Sequence, residues 1–143
     1  MKILIAEDEA AHRDSLAGIL SKWPEHEVTF AADGLVAWTL LSDPRMQFDL
    51  VFLDVKMPKL GGLELLQRLR ESASRRSAKF VMCSSVNDRA TISKAILMGV
   101  KRYIIRPCSE AVVAEMLRLV WTASASPVAG SVARDRAALT ASA

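Results

Sequence analysis

The stretch Leu50-Val51-Phe52-Leu53-Asp54 decides the fold. Four consecutive apolar residues leave no water-facing side, so the run reads as a strand covered on both faces, as in a parallel sheet packed between helices. Comparable runs lie at Lys2–Ala6 and Phe80–Cys83, and Val28–Ala32 and Tyr103–Ile105 read as two further strands. The segments between them carry helical period. Leu16, Ile19, Leu20 and Trp23 follow i, i+3, i+4, i+7, and Pro24 stops that helix. Leu35–Leu41 forms a short helix before Pro44, and Leu63, Leu66 and Leu69 stripe a third. Ile92, Ala95, Ile96 and Gly99 mark a fourth, and Val112, Val113, Met116, Leu117 and Val120 a fifth. Ser109 is placed to N-cap the fifth helix, with Glu110 at the positive end of its dipole.

Strand and helix alternate five times, ending near Trp121. Strands separated by helices run parallel with right-handed crossovers, which predicts an α/β fold: a (βα)5 doubly wound five-stranded sheet with helices on both faces. Residues 1–121 are expected to form this domain. Residues 122–143, dominated by Ala, Ser and Val, are expected to be a flexible tail with a weak helix over Val132–Leu139. The three tryptophans and most leucines are expected in or beside the core.

The chain has 143 residues, 51% hydrophobic and 24% charged, a globular composition that needs no covalent staples. Two cysteines, Cys83 and Cys108, are too few for a disulfide framework or a four-ligand zinc site. The first apolar run stops at Glu7-Asp8-Glu9, so no signal peptide is expected. No apolar stretch approaches the ~18 residues of a membrane span, and a cytoplasmic, reduced protein without a membrane partner is expected. Net charge is +3, with basic and acidic residues interspersed; the largest basic cluster is Arg75-Arg76 with Lys79 nearby. No direct nucleic-acid binding is expected, because neither a dense basic stripe nor a reading motif is present.

In an open parallel sheet, function gathers beyond the carboxyl ends of the strands. Here those ends carry Glu7-Asp8-Glu9, Asp54, Ser84-Ser85 and Arg106-Pro107. If the first and third strands are neighbours, Glu7, Asp8 and Asp54 share one pocket. Three carboxylates together raise one another's pKa unless a cation intervenes. A hard divalent ion such as Mg²⁺ suits them, since it binds through one or two carboxylates and keeps water and phosphate oxygens as its other ligands. Arg106 adds a fixed cation and Ser84 a hydroxyl, a combination suited to phosphoryl transfer onto a carboxylate. Taken singly, each of these residues has a bland use; Glu9, for instance, is expected only to cap the next helix.

Five stretches together resemble the receiver domain of the two-component response-regulator family, of the stand-alone chemotaxis type. They are residues 3–9 (Ile-Leu-Ile-Ala-Glu-Asp-Glu), 49–58 (Asp-Leu-Val-Phe-Leu-Asp-Val-Lys-Met-Pro), Gly61-Gly62, 81–85 (Val-Met-Cys-Ser-Ser) and 103–107 (Tyr-Ile-Ile-Arg-Pro). The resemblance covers Met1 to about Val120 and implies a flavodoxin-like strand order, 2-1-3-4-5. It implies that Asp54 accepts a phosphoryl group from a histidine kinase or phosphotransfer protein. It implies that Mg²⁺ (or Mn²⁺) is held by Asp8, Glu7, Asp54 and the backbone carbonyl of Lys56. Ser84 and Arg106 would contact the phosphoryl group, with Ser84 and Tyr103 as the switch pair. Pro107 would follow a cis peptide bond. A downstream protein would read the face made by helix 4, strand 5 and helix 5, with the chain a monomer or a phosphorylation-dependent dimer. Such a domain is a signalling module whose only chemistry is self-phosphorylation and self-dephosphorylation at Asp54. Lys56 and Val86, at the positions that line the path of the attacking water, imply slow self-dephosphorylation.

Two positions depart from the family pattern. Arg106 stands where lysine is usual, and Cys108 where a bulky apolar residue is usual. Arginine keeps the charge and binds phosphate bidentately, but it is longer and planar. It either serves the chemistry with altered geometry, or locks onto Asp54 in a two-point contact and hinders switching. The second case would make the chain a pseudo-receiver, a constitutive interaction module. Cys83 and Cys108 come within disulfide reach if strands 4 and 5 are adjacent, although a reduced compartment favours free thiols. A phosphatase of the haloacid-dehalogenase type is disfavoured, because Asp8-Glu9-Ala10 lacks the second aspartate of its Asp-x-Asp pattern.

Overall fold

A computed structural model describes residues 1–72, 78–85 and 89–124. Five strands and five helices alternate along it: β1 (Lys2–Ala6), α1 (Ala10–Leu20), β2 (Glu27–Ala31), α2 (Gly34–Ser42), β3 (Leu50–Asp54), α3 (Gly62–Glu71), β4 (Lys79–Ser84), α4 (Arg89–Leu97), β5 (Arg102–Ile105) and α5 (Glu110–Ser124). The strands are all parallel, in the order β2-β1-β3-β4-β5. Architecture and strand order are those expected.

The sheet divides the core by strand alternation. Leu4, Ala6, Val51, Leu53 and Met82 pack with side chains of α2, α3 and α4, among them Ala37, Leu65 and Ala95. Ile3, Ile5, Leu50, Phe52 and Val81 pack on the opposite side with Leu16 and Leu20 of α1 and Val113 and Leu117 of α5. All five residues of β3 are buried, which is why its apolar run shows no period-2 pattern.

Several local expectations shift. Helix α1 ends at Leu20 rather than at Trp23; the chain continues in turns, with the Trp23 amide donating to the Leu20 carbonyl (3.0 Å). Helix α5 runs to Ser124, past the expected boundary at Trp121, and the Thr122 hydroxyl donates back to the Arg118 carbonyl (3.1 Å). The readings that involve Arg75-Arg76, Val86 and the tail beyond Ser124, including Val132–Leu139, lie outside the described residues. Trp23 and Trp38 pack beside the core as expected, but Trp121 is exposed. Ser109 caps α5 through a bond from the Val112 amide (3.2 Å), and Asp33 caps α2 through the Val36 amide (2.9 Å).

The loop from β3 to α3 is held closely. The Gly62 amide donates to the Val55 carbonyl (2.9 Å), and Lys59 Nζ pairs with Asp33 Oδ2 (3.3 Å). A Cβ on Gly62 would stand 2.2 Å from the Asp54 carbonyl oxygen and 3.2 Å from Met82 Cε, so α3 can start here only on a glycine. Gly18, inside α1, has nothing within 4 Å of the equivalent position. Gly62→Ala is therefore expected to destabilise by about 1–3 kcal/mol through overpacking. Gly18→Ala should stabilise by about 0.5–1 kcal/mol through helix propensity. Urea denaturation of both variants checks this pair; equal effects would refute the close-approach argument.

Candidate functional site

The register of the sheet sets the site. Ala6 pairs with Leu53, so Glu7 and Asp8 emerge from β1 beside the end of β3, where Asp54 stands. Asp54 pairs with Cys83, which places Ser84 one residue further along β4. The Arg106 amide donates to the Ser84 carbonyl (2.8 Å), so the residue after β5 is tied to the end of β4. Strand pairing thus brings Glu7, Asp8, Asp54, Ser84 and Arg106 together at one edge. Carboxylate oxygens of Glu7, Asp8 and Asp54 lie within 4.8 Å of one another, a donor set that fits one hard divalent cation. Glu7 and Asp54 are each 4% exposed and Ser84 2%.

Arg106 spans the two buried carboxylates. Its Nη2 donates to Asp54 Oδ1 at 2.9 Å and its Nη1 to Glu7 Oε2. The expected two-point contact on Asp54 is therefore divided: one prong of the guanidinium serves each carboxylate. Among the described residues, Arg106 Nε is buried without a hydrogen-bond partner. The Lys56 amide lies 3.4 Å from Asp54 Oδ1. Tyr103 is half-buried on β5 and packs against the cluster beneath α2, α3 and α4. The Arg106–Pro107 peptide is cis.

Burial, and then the neighbouring charge of Glu7, push the Asp54 carboxyl from 3.8 up to about 7, against the opposing pull of Arg106. Beside it are two free thiols, Cys83 and Cys108. A side-chain hydrogen bond between them, together with burial, raises Cys83, while the same bond lowers Cys108 to about 7.

Some residues that build the site were not expected. Arg13 Nη1 donates to the backbone carbonyls of Glu7 (2.9 Å) and Asp8 (3.2 Å), which fixes the turn that presents both acids. A cation this near a helix N-terminus stands against the dipole, and that anomaly is the signal in the sequence that marks Arg13. His12 Nδ1 lies 3.7 Å from Glu7 Oε1 and 3.5 Å from Glu9 Oε2. Glu9 stands at the N-cap position of α1, but its side chain makes no capping bond, contrary to expectation. Its amide instead donates to Glu7 Oε1 (3.1 Å).

A family model described as the response regulator receiver domain matches residues 3–118, and the chain belongs to that family. Receiver domains are modules of two-component signalling rather than classical enzymes. They bind Mg²⁺ through acidic residues, and they interact with histidine kinases or phosphotransfer proteins and with downstream targets. Chemotaxis protein CheY1 of Helicobacter pylori is 28% identical over 120 residues, covering 84% of this chain and 96% of that protein. A two-component response regulator-like protein of rice, PRR73, is 27% identical over 121 residues, covering 85% of this chain but 16% of that protein. Among solved structures, the N-terminal domain of a protein from Wolinella succinogenes is 30% identical with a TM-score of 0.75, covering 87% of this chain and 96% of that one. No described helix is long and apolar enough to cross a membrane.

The raised Asp54 pKa has a direct consequence for stability. Between 3.8 and about 7 the folded protein holds a proton that the unfolded chain has released. Without metal, stability therefore falls as pH rises through this window and levels off above it. Asp54→Asn should remove this slope and make the metal-free protein more stable at pH 8, by on the order of 1–2 kcal/mol. Melting temperature against pH for both proteins checks it; parallel curves would show that Asp54 is ionised throughout.

Proposed function

We propose that Asp54 is the phosphoacceptor of this receiver, taking a phosphoryl group from a phosphohistidine on a histidine kinase or phosphotransfer protein. The reading rests on one observation: Glu7, Asp8 and Asp54 converge within 4.8 Å beside the Arg106 guanidinium. In the transfer, an oxygen of ionised Asp54 forms a bond to phosphorus as the donor's nitrogen–phosphorus bond breaks. Asp8, Glu7, Asp54 and the carbonyl of Lys56 are the proposed holders of Mg²⁺ or Mn²⁺. The ion would neutralise charge on the phosphoryl oxygens and favour the ionised form of Asp54.

Arg106 supplies the second cation. To meet the phosphoryl oxygens it must give up its Asp54 contact, and its buried, unpartnered Nε–H is a donor left for an anionic oxygen. Ser84, buried at the end of β4, is the hydroxyl proposed to turn toward the new group, with Tyr103 following on β5. The proposed readout is the face of α4, β5 and α5. Leu97 is 80% exposed there and Ile96 62%, with Ile105 and Val112 also exposed on the other two elements, an apolar surface suited to a protein partner. Residues 1–121 would carry this function in the cytoplasm, with the tail outside it, as a monomer or a phosphorylation-dependent dimer. A second reading, a pseudo-receiver with a constitutive binding surface, is favoured by one feature: Arg106 already bridges Asp54 and Glu7.

Treatment with a small acyl phosphate and Mg²⁺, read by intact mass, tests the assignment. One phosphoryl mass should appear on the native chain and none on Asp54→Asn; labelling of that variant would overturn the assignment. The modified form should persist for many minutes, because Lys56 offers no acid or amide to orient an attacking water.

The cost of Arg106 should fall on switching rather than on transfer. Each ~1.4 kcal/mol by which the Arg106 bridge favours the resting state lowers a minor active state about tenfold. Arg106→Lys should keep phosphorylation and enlarge the NMR shifts at Ser84 and Tyr103 on adding beryllofluoride with Mg²⁺. Equal shifts would mark arginine as a neutral replacement. Failure of the arginine form alone to bind beryllofluoride would favour the pseudo-receiver.

A further inference from the structure

The inner wall of the acidic site holds two thiols that phosphoryl transfer does not use. Cys83 is the register partner of Asp54 on β4, and Cys108 lies two residues beyond Arg106 in the turn that leads to α5. Both line the same small cavity as Asp54 and Arg106 and pack in the core beneath α1 and α5. Cys83 is buried and Cys108 half-exposed, so an oxidant arriving from solvent meets Cys108 first.

We propose that Cys83 and Cys108 form a thiol-modification site, a dithiol that hydrogen peroxide closes to a disulfide in the wall of the Asp54 pocket. In the first step the Cys108 sulfur attacks one peroxide oxygen. The O–O bond breaks, the departing hydroxide takes up the thiol proton as water, and Cys108 becomes a sulfenic acid. In the second step the Cys83 sulfur attacks that sulfur, the S–S bond forms and the S–O bond breaks. The departing hydroxyl takes the Cys83 proton as a second water. Two thiols and one peroxide thus give one disulfide and two waters, and the sulfur pair is oxidised by two electrons.

The bond would tie the end of β4 to the segment that carries Arg106. The Arg106 amide already hangs on the Ser84 carbonyl across this seam. In the reduced chain the seam can give, so the Arg106 bridge alone leaves transfer intact. A disulfide that fixes the seam would hold both Arg106 and Ser84 and should slow phosphorylation. This coupling rests on the reading of Asp54 as phosphoacceptor; the thiol chemistry does not.

The test uses the full chain, reduced and then exposed to stoichiometric hydrogen peroxide. Intact mass should show the loss of two hydrogens, reversed by dithiothreitol, and a non-reducing digest should yield a peptide linking Cys83 to Cys108. Acyl-phosphate labelling of the oxidised protein should fall about tenfold, within the usual range of coupling between sites, and recover on reduction. Cys108→Ser should form no such link, and its labelling should ignore peroxide. Oxidation that ends in sulfinic acid, or in links between chains, would overturn the site. A linked protein labelled as fast as the reduced one would overturn the coupling. If even the reduced chain takes no phosphoryl group, the phosphoacceptor reading fails, while the mass and the digest still decide the thiol site.

Discussion

Three carboxylates, those of Glu7, Asp8 and Asp54, stand within 4.8 Å of one another, two of them almost wholly buried. At the effective dielectric near a protein surface, two such charges about 4 Å apart repel by about 4 kcal/mol. The arrangement persists only with a cation among them or with a proton on one of them, and the surroundings favour both. Arg106 reaches across Glu7 and Asp54, while burial and the Glu7 charge hold the Asp54 carboxyl up near 7. A divalent ion would compete for the same oxygens that the guanidinium now holds. Charge compensation would then be an exchange: whatever neutralises the acids from outside would compete with Arg106, which is anchored to the end of β4. Under the proposed function, occupancy of the site and position of the β5–α5 segment would be linked by this one constraint.

The exchange explains why a fork differs from a point charge here. A lysine ammonium can swing between two carboxylates on a flexible stem, whereas a planar guanidinium presents several donors at fixed angles. In this chain one prong goes to each acid, and each contact helps orient the other. Releasing Asp54 alone leaves the Glu7 contact as a pivot. In the proposed switch the resting state would gain its bias from that division, with Glu7 as a second anchor; Glu7 is itself held by Arg13 through its backbone and by the Glu9 amide through its side chain.

The fold was legible because the signal is crude and repeated. Runs such as Leu50–Leu53 have no solvent face, and the segments between them carry helical period or stop at a proline. The acids were legible because ligands bind beyond the carboxyl ends of strands in a parallel sheet, and four such ends here carry mutually compatible groups. What was not legible depends on side-chain direction. Trp121 lies on α5 beyond the edge of the core, and large apolar residues are not always inside. Glu9 has the position of an N-cap, but only its backbone is used; its side chain faces His12. The split of the Arg106 fork, the clamp by Arg13 and the seating of Gly62 on the Asp54 carbonyl are facts of distance that residue types do not encode.

The alternation of the strands adds a last constraint on how the site reaches the surface. Along β3, Leu50 and Phe52 pack toward α1 and α5, and Asp54 follows in the same alternation; Cys83 on β4 belongs to that side too. Met82 and Tyr103 pack toward α2, α3 and α4, and Ser84 follows Met82 in that alternation. Acceptor and proposed switch hydroxyl therefore belong to opposite faces of one sheet and meet only at its edge. The sheet between them is filled by side chains such as Phe52, Leu53 and Met82, each 1% exposed or less. Close-packed interiors resist continuous deformation, so a change at Asp54 has little passage through the core. It would pass around the end of the strands, where the Arg106 amide is hydrogen-bonded to the Ser84 carbonyl. The same edge carries the two thiols, so the proposed bond between them would bear on the segment that the proposed switch has to move.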